Sequence, residues 1–223
     1  MDFLQLLEMF LSGIWGTVKL FTVALIGALV LGTILAGMRV SPTPVLRIAA
    51  STYINVVRNT PLTLVMFFCA FGLPFLDIRF GSTSSFNSFN SFIYATLALT
   101  AYTACFVAET LRSGISTIPV GQAEAARAVG LTFGQTLSQV ILPQAFRTVI
   151  PPLGSVIIAL LKNTSIASAF NNRELISAMR NAIEVRGDLA IPLLFGTALA
   201  YLILALILGR VFDYLERKLV ILR

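Results

Sequence analysis

Five stretches of this chain are apolar for long enough to enter a bilayer, and that limits its fold more than any motif does. A helical crossing needs roughly 20 predominantly apolar residues. The runs at about 11–38, 56–76, 91–110, 151–170 and 189–209 approach or reach that length, and the rest of the chain is divided among the segments between and beyond them. Composition agrees: 57% of residues are hydrophobic and 12% charged, where a soluble domain carries about 25% charge. A soluble globular domain is therefore excluded. The expected fold is all-α and integral to the membrane, with residues 1–223 forming one transmembrane domain.

The net charge of +6 would suggest nucleic acid in a soluble protein. In a membrane protein an excess of Lys and Arg marks cytoplasmic ends instead, so no nucleic acid partner is expected. With the N-terminus outside, the inner segments hold Arg39, Arg47, Arg58, Arg112, Arg127, Arg147, Arg210, Arg217, Lys218 and Arg223, and the outer ones only Arg79, Arg173, Arg180 and Arg186. The bias predicts an outer N-terminus and a cytoplasmic C-terminus. Asp2 and Glu8 replace the basic start of a signal peptide, so the first span is expected to persist in the mature protein.

Several chemistries lack their residues. There is no histidine, the commonest general base and metal ligand. Cys69 and Cys105 lie in separate apolar runs without the close spacing of a metal or redox motif. No phosphate-cradling GxxxxGK[ST] loop occurs, so nucleotide hydrolysis is not expected here.

Along the chain, Gly13, Gly16, Gly27, Gly32 and Gly37 keep one surface of the first span narrow for helix packing. A Ser41-Pro42-Thr43-Pro44 break precedes residues 45–59, expected to be an interfacial or obliquely entering helix. The run from Pro61 is short, so span two is expected to recruit residues before that proline and bend there. Residues 77–90, rich in Ser and Asn with interleaved Phe, read as an exposed loop whose rings dip into the interface. Residues 171–188 read as a second polar loop.

The longest polar stretch, 111–150, is patterned. Thr117 and Pro119 suit a helix start, residues 122–129 are Ala-rich, and Gly130 suits the left-handed residue that closes a helix. Thr132 with Gln135 offers a capping box for a second helix, which Pro143 is expected to end or kink. A helix-turn-helix on a protein with little other soluble part reads as a docking surface.

Here a family resemblance becomes specific. Glu124-Ala125-Ala126, then Gly130, Val140 and Leu142-Pro143 resemble the EAA loop of bacterial ABC importer permeases, with Val140 where the family usually has isoleucine. The polar amino acid branch, which takes histidine, glutamate, glutamine or arginine, is resembled at four further places. These are residues 13–20 (GIWGTVKL), 57–62 (VRNTPL), 102–112 (YTACFVAETLR) and 161–167 (LKNTSIA). The resemblance implies a type I importer permease in the bacterial plasma membrane, most like glutamate permeases. It implies that Glu124, Ala125, Ala126, Gly130, Leu142 and Pro143 couple the chain to cytoplasmic ATPase subunits. It also implies a second permease subunit, identical or related, and an extracytoplasmic binding protein. No cofactor is expected in this chain, ATP and Mg belonging to the ATPase.

Charges inside spans are functional candidates by default because each costs about 2.5–3.5 kcal/mol at the bilayer centre. Counted from Pro152 at 1.5 Å per residue, Lys162 falls about 15 Å into span four, near the midplane. With Asn163, Thr164 and Ser165 it offers a cation and three hydrogen-bonding side chains suited to an amino acid carboxylate; snorkelling or pairing across a subunit interface is the alternative. Glu109 falls nearer the cytoplasmic side and is expected to pair with Arg112 or Arg58, tying spans two and three, with a gating role as the alternative. Lys19 is assigned to snorkelling. Against the importer stand an ion-coupled secondary transporter, which usually has internal repeats and more spans, and a membrane enzyme.

Overall fold

The computed structural model describes residues 3–80 and 88–219, and every regular element among them is a helix. Ser84 and its neighbours in the expected 77–90 loop lie outside the described residues. The first helix, α1, runs unbroken over Phe3–Val40, well past both ends of the expected 11–38 span. At 1.5 Å per residue its 38 residues reach about 57 Å, nearly twice a bilayer core of about 30 Å.

After Ser41 and Pro42 the chain re-enters a helix, α2 (Pro44–Arg58), with Pro44 in the first turn where its missing N–H costs nothing. Only Ala50 and Ile54 of α2 are buried. The next helix, α3 (Leu62–Phe75), is turned by 102° from α2. Pro61 causes the break, since its ring bars the preceding residue from helical geometry. Span two, expected over 56–76, thus carries the expected break at Pro61. It is a short α3, about 21 Å long for its 14 residues, with α2 set almost at right angles before it. A π-helical turn at Phe68–Gly72 widens α3 midway.

The fourth helix, α4 (Ser88–Ser116), outruns the expected 91–110 at both ends. A short α5 (Val120–Ala128) follows. Then α6 runs from Phe133 to Phe170, through a π-helical turn at Thr136–Ile141 and a final 3-10 stretch at Thr164–Phe170. Pro143 does not end this helix. It stands in the first turn after the π-turn, and Pro151 and Pro152 lie inside. The helix that carries span four therefore starts well before Pro151, so a depth for Lys162 counted from Pro152 starts inside that helix.

The stretch 171–188 is largely helical. Asn171 turns left-handed (φ 57°), Glu174 caps α7 (Leu175–Val185), and Leu175, Ala178 and Ala182 bury its apolar side. The last helix is α8 (Ala190–Leu219). Among the described residues four helices are long and apolar enough to cross a membrane, and the bent α2–α3 pair makes up to five crossings.

Small residues set the packing. A Cβ on Gly27 would come 2.7 Å from Thr100, and one on Gly32 2.6 Å from Val107, so α1 and α4 touch nearly backbone to backbone, as small-residue interfaces in membranes allow. Ala24, Ala28, Ala95, Ala98, Ala104 and Ala108 are all buried. These contacts run α1 and α4 in the same direction, and α6 returns against them: Gly114 of α4 meets Val149, while Tyr94 shares a core with Phe170. Gly154 against Phe212 and Gly196 against Phe10 turn α8 back again. The start of α1 thus shares one end of the bundle with the α7 region. The α5 hairpin and the end of α8 share the other.

Candidate functional site

At the hairpin end, α5 closes with two hydrogen bonds that define a Schellman motif: Gly130 N donates to Arg127 O (2.9 Å) and Leu131 N to Ala126 O (3.1 Å). That closure needs a left-handed residue, and Gly130 supplies it at φ +92°. Thr132 and Gln135 then form both halves of a capping box. Gln144 Nε2 donates to Gln122 Oε1 at 2.5 Å, holding α5 to α6. Ala126 faces inward at 7% exposure, while Glu124 and Ala125 are exposed, as are Val120, Val129 and Phe133. Leu142 and Pro143 are exposed one helix away. The hairpin thus presents a carboxylate with no ion-pair partner among the described residues, together with uncovered apolar side chains.

Just inside that end, Glu109 gathers three guanidinium groups. Arg39 of α1 bonds Oε1, Arg112 donates to Oε2 through Nε and Nη2 at 3.1 Å, and Arg58 of α2 lies 3.5 Å away. Arg58 and Arg112 were named from the sequence. Arg39 is not among the expected partners, because it comes from 70 residues earlier and carries no local signal. The cluster joins α1, α2 and α4.

Between α4 and α6 lies a cleft of about 320 Å³ lined by Tyr102, Thr103, Phe106, Ser155, Val156, Ala159, Leu160 and Asn163. The structure separates the four residues grouped around Lys162. Asn163 lines this cleft; Lys162 is exposed and not among its walls. Thr164 is fully buried with its hydroxyl donating to Leu161 O at 2.6 Å, and Ser165 donates to Lys162 O at 2.7 Å. Both hydroxyl protons are therefore spent on their own helix. Tyr102, Thr103 and Ser155 are polar wall residues that sequence reasoning did not assign; their spacing along two helices carried no signal until α4 and α6 were placed together.

The other missed group is Glu174, which is completely buried. Its oxygens accept from Ile176 N (2.8 Å), Ser177 N (2.7 Å) and the Tyr201 hydroxyl (2.9 Å). Burial pushes this carboxyl above its ordinary range, although all three donors pull the other way. Ser177 three residues on was the one local signal, the reciprocal cap that closes α7. No group of metal-ligating side chains occurs among the described residues.

Comparison with known proteins places this arrangement. Residues 28–221 match the family described as binding-protein-dependent transport system inner membrane component. The chain is 45% identical over 214 residues to the glutamate transport system permease protein GluC of Corynebacterium glutamicum, covering 95% of this chain and 94% of that protein. It is 35% identical to the probable glutamine ABC transporter permease protein GlnM of Bacillus subtilis, again over 95% and 94%. A crystal structure of an amino acid ABC transporter with histidines superposes with a TM-score of 0.84 at 28% identity, over 98% of this chain and 99% of that one. The chain therefore belongs to the binding-protein-dependent transport system inner membrane components, the permease subunits that carry the membrane-crossing part of ABC transporters.

Proposed function

We propose that this permease forms the pathway of an ATP-driven importer of a polar amino acid, with glutamate first and glutamine or aspartate next. The observation that carries the reading is the 45% identity, over nearly the full length of both chains, to a glutamate permease. The hairpin supports the coupling half of it: Glu124 and the apolar residues around Gly130 suit a cytoplasmic ATPase subunit, which would hold ATP and Mg. A second permease, a copy or a relative, completes the pathway, and an extracytoplasmic binding protein delivers the solute.

Within the pathway, the α4/α6 cleft supplies hydrogen-bonding groups for a zwitterion from Tyr102, Thr103, Ser155 and Asn163. Lys162 is exposed with no carboxylate in reach among the described residues. It adds the cation an acidic solute calls for once the second subunit closes that side. A charge-assisted hydrogen bond contributes about 1.5–3 kcal/mol, so Lys162→Met should weaken uptake of limiting glutamate about 10- to 150-fold while basal ATP hydrolysis persists. The test is uptake of labelled L-glutamate by the reconstituted importer, competed with aspartate, glutamine and arginine. Competition by the acidic solutes and glutamine, lost in Lys162→Met, is the expected result. Arginine competing best, or Lys162→Met transporting normally at limiting glutamate, would contradict it.

A further inference from the structure

A second cleft lies at the opposite end of the bundle from the hairpin. Residues 9–19 of α1, the first turns of α4 and α7 and the turn before α7 line about 870 Å³ there, within the roughly 300–1,000 Å³ that small-molecule sites occupy. Two cations line it, Lys19 and Arg173, and neither has a carboxylate in ion-pair distance among the described residues. Asn172 lines it too. That side chain is 4% exposed, and its amide nitrogen has no hydrogen-bond partner among the described residues. A buried donor left unmade is costly, so an acceptor belongs beside it.

Packing places Lys19 and the backbone of the turn that carries Asn172 and Arg173. Lys19 Nζ sits 4.8 Å from the centre of the Phe92 ring, itself part of the wall. Gly16 lets α1 come so near that a Cβ there would overlap the Arg173 carbonyl, and Leu175 N donates to Thr17 Oγ1 at 3.0 Å. The one acid on the wall, Glu174, is fully buried, with two backbone N–H groups and the Tyr201 hydroxyl on its oxygens. The cleft therefore offers two positive groups and a spare N–H, with no exposed carboxylate to compete.

We propose that this cleft is an oxyanion site. Lys19 and Arg173 donate charge-assisted hydrogen bonds to one carboxylate or phosphate group and Asn172 donates a neutral one, the charged pairs being roughly twice as strong. The group arrives on a free solute or as the head of an anionic lipid. The site is separate from the α4/α6 cleft and stands independently of the substrate assigned to the importer.

Trp15 is the chain's one tryptophan, lines this cleft and is exposed, so its emission reports occupancy. The purified full chain in phosphatidylcholine nanodiscs is titrated with L-glutamate and with inorganic phosphate, and a parallel series carries increasing phosphatidylglycerol. A saturable change with either soluble anion supports the site and names a free solute. A change with phosphatidylglycerol alone supports it and names a lipid head group. Arg173→Gln should weaken the midpoint about 10- to 150-fold, Asn172→Asp should abolish the response, and Lys19→Arg should keep it. Arg180→Gln, exposed on α7 and not a wall residue, should leave it unchanged. No response to any of the three probes, or an equal loss in Arg180→Gln, overturns the assignment.

Discussion

Glu109 accepts hydrogen bonds from Arg39 and Arg112 and has Arg58 at ion-pair distance, but the three contacts are unequal, and exposure helps decide which of them matters. The Arg39 side chain is 19% exposed and its hydrogen bond is direct, whereas Arg58 is 39% exposed and 3.5 Å away. Exposed pairs contribute about 0–1 kcal/mol, while stranding the partner of a buried pair costs about 3–5 kcal/mol, less where water still reaches. Glu109→Gln should therefore destabilise the detergent-solubilised protein by about 2 kcal/mol and Arg58→Gln by under about 1 kcal/mol, read as melting temperatures. Equal shifts would mean that Arg58 carries the cluster. Glu174 gives a pH signature. Its carboxyl, held above the ordinary value of 4.5 by burial, binds a proton more tightly in the folded chain than in the unfolded one. The stability this adds is full below pH 4.5 and is lost as pH rises through the folded value. Melting temperature should fall over that window, and Glu174→Gln should flatten the fall; an unchanged slope in the variant would assign the dependence elsewhere. Neither Arg39 nor the burial of Glu174 was legible in the sequence. Both depend on partners brought from other helices, and no local pattern announces such a partner.

The elements were legible where local chemistry decides them. Gly130, the Thr132–Gln135 capping box and the break at Pro61 are each written within a few residues, and the structure has all three. Helix ends were less legible, because neither prolines nor polar residues stop a helix that packing continues. Pro143, Pro151 and Pro152 are absorbed by α6, the first of them beside a π-turn, and the partly polar residues 111–116 simply extend α4. The expected second polar loop became α7 because Leu175, Ala178 and Ala182 find α1 and its neighbours to bury against, a partner invisible in one dimension. Gly130 yields a prediction at this scale. A Cβ there meets nothing within 4 Å, so Gly130→Ala is opposed only by its left-handed backbone, at about 1–2 kcal/mol. The hairpin should loosen while the spans stay folded, and solute-stimulated ATP hydrolysis should fall more than membrane insertion. Wild-type stimulation would separate the motif from coupling.

For the whole molecule, the helix directions put the start of α1 and the α7 region at one end and the α5 hairpin and the end of α8 at the other. The charge bias predicts a cytoplasmic hairpin end. A thiol placed at Asn181 should then react with an impermeant reagent in intact cells, and one at Gln122 only after the membrane is opened; the reverse pattern would invert the chain. Asn172 is a poor label site because it is buried. Almost none of the apolar stretch of α8 is buried within the chain, which leaves a long face for lipid or for a second permease subunit. The claim that joins these features is that an ATPase docked on the hairpin drives import. Its most direct measurement is labelled glutamate uptake by proteoliposomes holding this chain with its partner subunits, with and without internal ATP, for the wild type and Glu124→Lys. Uptake that requires ATP and collapses in Glu124→Lys, with the variant still inserted and folded, is the predicted result. Uptake that proceeds without ATP and follows an imposed ion gradient would contradict the account.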